Sequence, residues 1–212
     1  MTKPALTGTK LALLEAAGEL FAEHGLEGIS IRAIAEKAQA NIAAVNYHFG
    51  TKENLYTEAL RHVATCAPVI PPEVFLARLR GGGVENSPEA VIRDLVQDRV
   101  SNYLSKKSPE WHTKLLMRSL LEPNQALEQL IQQIFTPDQD GLMELVLEIN
   151  PKLSPSQARI LVFSMIGQCV FYVFAKAPIL ILLKKEGYDD AFTREIGETV
   201  SRIMMSALYS LP

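Results

Sequence analysis

The segment from residue 30 to residue 49 constrains the fold of this chain more than any other part of it. Ser30 can cap a short first helix, because its hydroxyl can accept a backbone N–H that has no partner within the helix. Asn41 is placed to cap a second helix, whose inner face would carry Val45 and Phe49 at a spacing of four residues. The pattern predicts two helices joined by a tight turn, a helix–turn–helix. An ordinary surface pair of helices has the same pattern.

The residues that follow indicate an anion at the start of the next helix. Gly50 can end the second helix in the left-handed conformation, and Thr51 can cap the helix after it. Lys52 would then stand at a helix N-terminus, where exposed N–H groups and the helix dipole favour a phosphate. The outer face of the second helix offers small, polar and aromatic side chains, which suit a helix that reads the major groove of DNA.

The overall charge excludes a protein that binds nucleic acid through net positive charge alone. The formal net charge is −3, and residues 1–65 carry six lysines and arginines against seven glutamates. Any DNA contact must therefore come from the local placement of basic side chains and helix ends. The 48% hydrophobic and 21% charged residues fit a soluble globular protein. Residues 1–10 lack the apolar core of a signal peptide, so we expect a cytoplasmic protein.

The rest of the chain shows helical periodicity and no strand alternation, which predicts an all-α fold. Helices are predicted over residues 9–24, 51–65, 72–80, 88–106, from 108 to 136 with a break or kink at Pro123, and over 142–149, 154–176 and 189–209. Pro68, Pro71 and Pro72 stop the helix that precedes them. They place a domain boundary there, with one domain over residues 1–66 and a second over residues 67–212.

Sixteen consecutive residues between Arg159 and Lys176 carry no charge, and this limits the environments in which the segment can fold. A membrane span would need about 20 apolar residues, whereas this run is shorter and contains polar side chains, so no membrane partner is predicted. We predict instead a soluble helix that is buried on nearly all sides. The simplest cover for its remaining surface is a second copy of the chain, which predicts a homodimer through residues 154–176 and 189–209.

Two sets of residues resemble a known family. The segment Phe49-Gly50-Thr51-Lys52-Glu53-Asn54-Leu55, with Ala16, Ala17, Leu20, Phe21 and Gly25 upstream, is similar to the TetR family of bacterial repressors. The segments Trp111-His112 with Leu115-Leu116, Glu122-Pro123, Ser164 to Tyr172 and Asn41 to Gly50 resemble CecR-type, or YbiH-like, TetR regulators. The resemblance implies a TetR-like fold, with a three-helix DNA-binding domain followed by a ligand-binding and dimerisation domain. It also implies a dimeric transcriptional repressor that a small molecule releases from a palindromic operator.

The helix-end argument and the resemblance together predict the contacts with double-stranded DNA. Phosphates are assigned to Thr9, Tyr47, Thr51 and Lys52, and base edges to Asn41, Ile42, Ala43, Ala44 and Asn46. The full predicted surface is Thr9, Ser30, Arg32, Asn41, Ile42, Ala43, Ala44, Asn46, Tyr47, His48, Thr51 and Lys52.

A pocket for a small-molecule effector is predicted in the second domain, because aromatic side chains with a few polar groups suit an apolar or aromatic ligand. The predicted lining is Trp111, Leu115, Arg118, Phe135, Phe163, Gln168, Phe171 and Tyr172. Any one of the aromatic residues can equally be an ordinary residue of the hydrophobic core that contacts no ligand. Gln168 and Arg118 are more informative, because a buried amide or guanidinium needs a partner. They can also pair across the dimer or with a neighbouring glutamate.

Signatures of enzymes and of metal sites are absent or incomplete. The sequence has no Gly-rich phosphate loop, no nucleophile elbow and no HExxH pair, so no catalytic residue, enzyme activity or cofactor is predicted. The two cysteines, Cys66 and Cys169, have no CxxC spacing. His62 and Cys66 lie four apart, but a pair without a third ligand is more often structural, so no metal site is predicted. The alternative function is a helical ligand-binding or adaptor protein that does not bind DNA.

Overall fold

The computed structural model of the protein describes residues 8–66, 69–104 and 108–211, and these residues form helices with no β-strand among them. The predicted all-α fold is confirmed. The chain divides into two compact units. Unit 1 comprises residues 1–66 and 107–134, and unit 2 comprises residues 67–106 and 135–212.

The α-helices of the described residues are numbered in chain order. They are α1 Thr9–His24, α2 Ile31–Lys37, α3 Ile42–Phe49, α4 Lys52–Cys66, α5 Pro72–Gly81, α6 Pro88–Tyr103, α7 Glu110–Leu121, α8 Gln125–Leu130, α9 Thr136–Ile149, α10 Pro155–Phe174, α11 Lys176–Leu183 and α12 Asp190–Ser210. A short 3₁₀ helix, Val84–Asn86, precedes α6, and a π-helical turn, Ile131–Phe135, joins α8 to α9.

The predicted signals at the ends of the first helices are confirmed. The Ser30 hydroxyl accepts a hydrogen bond from the backbone N–H of Ala33 at 3.2 Å, and the Thr51 hydroxyl accepts one from Asn54 at 3.1 Å. Gly50 follows α3 with a φ of 77°, a left-handed value that suits glycine. These local interactions set the start of α2, the end of α3 and the start of α4.

The predicted domain boundary after residue 66 coincides with the first passage of the chain from unit 1 to unit 2. Residues 107–134, which the sequence groups with the second domain, fold with unit 1. Here α7 packs on α1 and α4, and α8 packs on α4. Pro68, to which the boundary was partly assigned, and Lys106, the predicted end of the helix that begins at Pro88, lie outside the described residues.

The core of unit 1 is built around α1. Phe21 is fully buried and meets the ring of Tyr56 on α4 edge to face, with 5.1 Å between the ring centroids. Gly18 on α1 lies against the indole of Trp111 on α7, where the Cβ of any larger residue would overlap the ring. Close packing of α1 on α7 therefore depends on a glycine at this position.

The core of unit 2 is formed mainly by α6, α9, α10 and α12. Its fully buried side chains include Val91, Ile92, Leu142, Val162 and Leu208. One charged side chain, Arg99 of α6, is also buried, with 1% of its surface exposed. A buried guanidinium is unusual in such a core and requires charged or hydrogen-bonding partners, which Asp138 and Asp98 provide.

Two prolines lie in the first turns of helices whose starts were not predicted from the sequence. Pro137 stands at the start of α9, and Pro178 is the third residue of α11. Proline is tolerated in the first turn, because the N–H that it lacks would have no partner within the helix there. The sequence prediction ended one helix at residue 136 and another at residue 176. It began the next segment only at residue 142, and it missed α11.

Helix α10 differs from its prediction in its burial. Its residues buried within the chain are Ala158, Leu161, Val162, Met165 and Cys169. Phe163 and Phe171, by contrast, are 55% and 57% exposed, so the prediction that this helix is buried on nearly all sides is wrong for the single chain. By length and composition alone, α10 is the one helix of the described residues that could cross a membrane, and 28% of its apolar window is buried.

Candidate nucleic-acid interface and effector residues

The outer face of α3 is the surface that the sequence predicts to contact DNA bases. Val45 is fully buried and Phe49 is 7% exposed, which is the predicted inner face. On the opposite side Ile42 is 45% exposed and Tyr47 is 85% exposed. A large apolar and a large aromatic side chain held in solvent on a short capped helix are available to a partner of unit 1.

The smaller residues of α3 complete this face. Ala43 and Asn46 are exposed, and Ala44 is half-buried beside them. His48 is half-buried, with its ring centroid 5.0 Å from that of Tyr47. The face therefore combines small side chains, which permit close approach, with the amide of Asn46, which can both donate and accept hydrogen bonds.

Three of the predicted DNA-contacting residues serve as helix caps. Besides Ser30 and Thr51, described above, the Asn41 side-chain oxygen accepts a hydrogen bond from the backbone N–H of Ala43 at 2.8 Å. With this oxygen engaged, Asn41 has its amide NH₂ to offer a base edge. The capping role predicted from the sequence is confirmed, and the contact of Asn41 with a base edge stays a prediction.

Lys52 stands at the first position of α4, as predicted. Its ammonium lies 3.9 Å from the carboxylate of Glu27, whose side chain is 92% exposed. The Lys52 side chain itself is 19% exposed. The pair is weak because the distance is long and the glutamate is in solvent, so a phosphate could replace the carboxylate. Arg32 donates to Glu36 at 2.9 Å on the exposed face of α2, and Thr9 is exposed at the start of α1.

Three of the predicted pocket residues lie in unit 1. Leu115 is fully buried and Trp111 is 9% exposed, so both belong to the core of that unit. Arg118 donates to the backbone oxygens of Ala22 and Glu23 at 3.3 and 3.1 Å, and to Glu122 at 3.0 Å. Arg118 thus satisfies carbonyl groups at the C-terminal end of α1 and pairs with a neighbouring glutamate.

The other five predicted pocket residues lie in unit 2, so the eight do not share one unit. Phe163 and Phe171 are exposed, whereas Phe135, Gln168 and Tyr172 are half-buried. The Gln168 amide donates to the backbone oxygen of Ser164, within its own helix, at 3.3 Å. Gln168 is therefore not the fully buried amide on which the sequence argument depended.

An open groove on unit 2 was not predicted from the sequence. It has a volume of about 580 Å³ and is lined by Arg80, Asp140, Met143, Glu144, Leu147, Glu148 and Pro151. Arg80 crosses it to donate to Glu144 at 3.1 Å and to Glu148 at 3.0 Å. None of the predicted pocket residues lines this groove, because helical periodicity does not show which helices flank a surface depression.

Comparisons with known proteins agree with the resemblance. The family profile described as "Bacterial regulatory proteins, tetR family" matches residues 13–59, and that of the C-terminal domain of "HTH-type transcriptional dual regulator CecR" matches residues 88–210. The CecR regulator of Shigella flexneri is 27% identical over 210 residues, covering 95% of this chain and 93% of its own length. The regulator RutR of Escherichia coli strain K12 is 23% identical over 210 residues, covering 96% and 92%.

Solved structures show the same fold. HlyIIR, a hemolysin II transcriptional regulator, superposes with a TM-score of 0.60 at 23% identity, over 93% of this chain and 96% of its own. FadR from Bacillus subtilis, in complex with stearoyl-CoA, superposes with a TM-score of 0.64 at 16% identity, over 93% and 98%. The helix–turn–helix of unit 1 lies within the first matched region, and most of unit 2 lies within the second. The chain belongs to the TetR family of bacterial regulatory proteins, with a C-terminal domain of the CecR type, and is a ligand-responsive DNA-binding transcriptional regulator.

Proposed function

We propose that the protein is a homodimeric repressor in the cytoplasm, which binds a palindromic operator and is released from it by a small apolar or aromatic effector. The observation that carries the proposal is the exposed outer face of α3, where Tyr47 is 85% exposed beside the exposed Asn46. Since residues 1–65 have no excess of positive charge, specific contacts from this face and from helix ends must dominate the binding.

The proposed dimer is supported by the apolar surface that α10 and α12 leave uncovered. On α10, Ile160 and Phe163 are 60% and 55% exposed, and on α12, Ile203 and Tyr209 are 48% and 58% exposed. Pairing the same two helices from two copies gives an isologous interface, in which each residue set meets its own copy. Such a dimer carries two copies of α3, as a palindromic site requires.

The proposed effector is bound through unit 2. The half-buried Phe135, Gln168 and Tyr172 offer aromatic surface and an amide, which suits an apolar molecule oriented by a hydrogen bond. The effector lowers operator affinity only by its differential affinity for the bound and released arrangements of the dimer. A coupling of about 1–3 kcal/mol corresponds to roughly 5–150-fold release.

Replacing Lys52 by alanine is expected to weaken binding to all DNA sequences alike, because a phosphate contact carries no sequence information. The slope of log affinity against log salt concentration should fall by about 1. Fluorescence anisotropy with the promoter DNA of its own gene, measured over a series of salt concentrations, checks this. Lys114→Ala is the matched control, since Lys114 is an exposed lysine of unit 1 on α7 that pairs only loosely with Glu110, at 3.5 Å. Unchanged affinity and slope in Lys52→Ala would remove the proposed phosphate contact.

Replacing Asn46 by alanine is expected to relax the choice of base at one position of each half-site. The loss of discrimination should be about 1–3 kcal/mol at that position, because one side-chain contact to a base edge is removed. Binding to a library of single-base operator variants measures it. Gln132→Ala, an exposed amide of unit 1 outside the α3 face, should leave the profile unchanged. If the Asn46 variant shows the same base preferences as the parent protein, Asn46 does not read a base.

A further inference from the structure

Folding brings a third metal-binding side chain to the His62 and Cys66 pair of α4. The Nε2 atom of His62 lies 3.2 Å from the Sγ atom of Cys66, one helical turn further on. His112 of α7 joins them, and one ligand atom from each of the three residues lies within 4.8 Å of the other two. All three belong to unit 1, and we refer to them as the His–Cys cluster.

The geometry of the His–Cys cluster is close to that of a zinc site. In a tetrahedral site, Zn–S bonds of about 2.3 Å and Zn–N bonds of about 2.0–2.1 Å place ligand atoms roughly 3.3–3.6 Å apart. The separation of His62 from Cys66 is already near this range. The other separations are no more than 4.8 Å, so small side-chain rotations can close the difference. Two imidazoles and one thiolate form a borderline-soft ligand set that selects zinc and similar transition metals over magnesium or calcium.

The surroundings of the cluster hold its two imidazoles in place and keep them neutral. Trp111 stacks on the ring of His62, with centroids 6.5 Å apart, and meets the ring of His112 edge to face at 4.2 Å. The indole therefore holds both imidazoles in place from the apolar side. Burial lowers the pKa of His112 to about 4 and also lowers the pKa of His62, against an opposing effect of Glu15, so both rings are neutral near pH 7 and can donate a lone pair.

We propose that His62, Cys66 and His112 bind one Zn²⁺ ion per chain, with a water molecule or an external ligand at the fourth position. Binding replaces the thiol proton of Cys66: Zn²⁺, the thiol and the two neutral imidazoles give a zinc thiolate and one released proton. A cysteine thiol is largely protonated near pH 7, so the metal is what ionises it. The carboxylate of Glu15 acts electrostatically on both His62 and Cys66, and it adds negative charge where the cation would lie.

The consequence for unit 1 is a metal bridge between α4 and α7. Helix α4 begins at Lys52, beside the proposed DNA contacts, and ends at Cys66 in the cluster. Zinc would fix the last turn of this helix to α7. The proposed zinc site follows from the positions of the three side chains, and it does not depend on the proposed repressor function.

Metal titration of the full-length protein tests the site. Purified protein is stripped with a chelator and titrated with Co²⁺, whose tetrahedral thiolate complexes absorb through charge transfer and d–d transitions, and the bound cobalt is then displaced with Zn²⁺. Trp111 is the only tryptophan in the sequence, so its fluorescence reports directly on the cluster that it covers. We expect one Co²⁺ per chain, a thiolate charge-transfer band, quenching of Trp111, and loss of the band when Zn²⁺ is added.

Single substitutions distinguish zinc binding at the His–Cys cluster from adventitious zinc binding elsewhere on the protein. Cys66→Ser should remove the charge-transfer band and weaken Zn²⁺ binding at least about tenfold, and His112→Asn should weaken it similarly. His24→Ala, at the exposed end of α1, should bind zinc like the parent protein. Because Cys66 is exposed, its serine variant should fold normally, and circular dichroism checks this. The site is refuted if the parent protein shows no thiolate band, or if Cys66→Ser binds zinc as tightly as the parent.

Discussion

Replacing Phe163 by glutamate is expected to turn the proposed dimer into a monomer and to weaken operator binding by about 100-fold or more. Phe163 lies on the uncovered face of α10 and is 55% exposed in the single chain. In a dimer through this face, each copy would bury a carboxylate without a counter-charge, which costs several kcal/mol per ion. The apolar contact of each phenylalanine, about 1.5–3 kcal/mol when fully buried, is lost as well.

Operator affinity falls because two linked binding events become independent. A dimer that has bound one half-site presents its second copy of α3 at a high effective concentration, which raises affinity by roughly 10²–10⁴ over one half-site alone. Sedimentation velocity gives the oligomeric state, and anisotropy with full and half operators gives the affinities. Thermal melting shows that the monomer is folded.

A second glutamate substitution serves as the control for the dimer. Val84 is 91% exposed and lies in the short 3₁₀ helix before α6, which is not part of α10 or α12. Val84→Glu should therefore remain dimeric and bind DNA like the parent protein. If Phe163→Glu also remains a dimer at micromolar concentration, the copies pair through another surface, and the proposed interface must be abandoned.

The sequence predicts best what depends on neighbours along the chain. Ser30, Asn41 and Thr51 cap the helices that they were predicted to cap, because a cap is satisfied by a backbone N–H two or three residues away. The inner face of α3 is likewise read from a spacing of four residues. These local signals are sufficient to locate the helix–turn–helix and its outer face.

Contacts between distant parts of the chain were not predictable in the same way. His112 completes the cluster of His62 and Cys66 only because α7 packs on α4, and nothing in the periodicity of either helix specifies this pairing. Trp111 has the aromatic character expected of a pocket, yet it fills the space above Gly18 in the core of unit 1. Composition predicts that a side chain will be buried, whereas the tertiary fold decides against which partner.

The uncharged run of α10 shows that apolar composition does not predict how much of a helix is buried within one chain. Its apolar composition predicted burial on nearly all sides, but the single chain covers only part of it. Hydrophobicity reports the whole environment of a residue, including surfaces covered only after association. The apolar surface of α10 that one chain leaves exposed therefore supports the proposed contact with a second copy.

Replacing Arg99 by methionine is expected to lower the free energy of unfolding by about 3–5 kcal/mol, because it leaves a partly buried carboxylate without its counter-charge. Arg99 is 1% exposed and donates to Asp138 at 2.7 Å, to Asp98 at 3.4 Å and to the backbone oxygen of Ile70 at 3.2 Å. Thermal melting should show a decrease in Tm of about 6–20 °C for a chain of this size. Sequence pattern does not indicate this pair, since the aspartate comes from α9 and the arginine from α6.

Two further variants distinguish the contribution of the Arg99 charge to stability from that of its packing. Arg93→Met removes an arginine of the same helix that is 58% exposed and pairs with Asp94 at 3.3 Å, and it should change stability by less than about 0.5 kcal/mol. Arg99→Met combined with Asp138→Leu removes both charges and should recover much of the loss, because replacing a buried pair by apolar side chains is often neutral. Equal melting of Arg99→Met and Arg93→Met would show that the buried pair contributes nothing measurable.

The pH dependence of Arg99→Met should identify Asp138 as the group left unpaired. Burial already raises the pKa of the Asp138 carboxyl, and Arg99 opposes this, so removing Arg99 should raise the pKa of that carboxyl further. A carboxyl with a raised pKa in the folded state binds its proton more tightly there than in the unfolded chain, so stability falls as pH rises through that interval. The deficit of the variant should accordingly be largest near neutral pH and smaller at about pH 4, where the carboxyl can be protonated. A deficit that does not change between these pH values would indicate lost packing of the arginine stem and not an uncompensated charge.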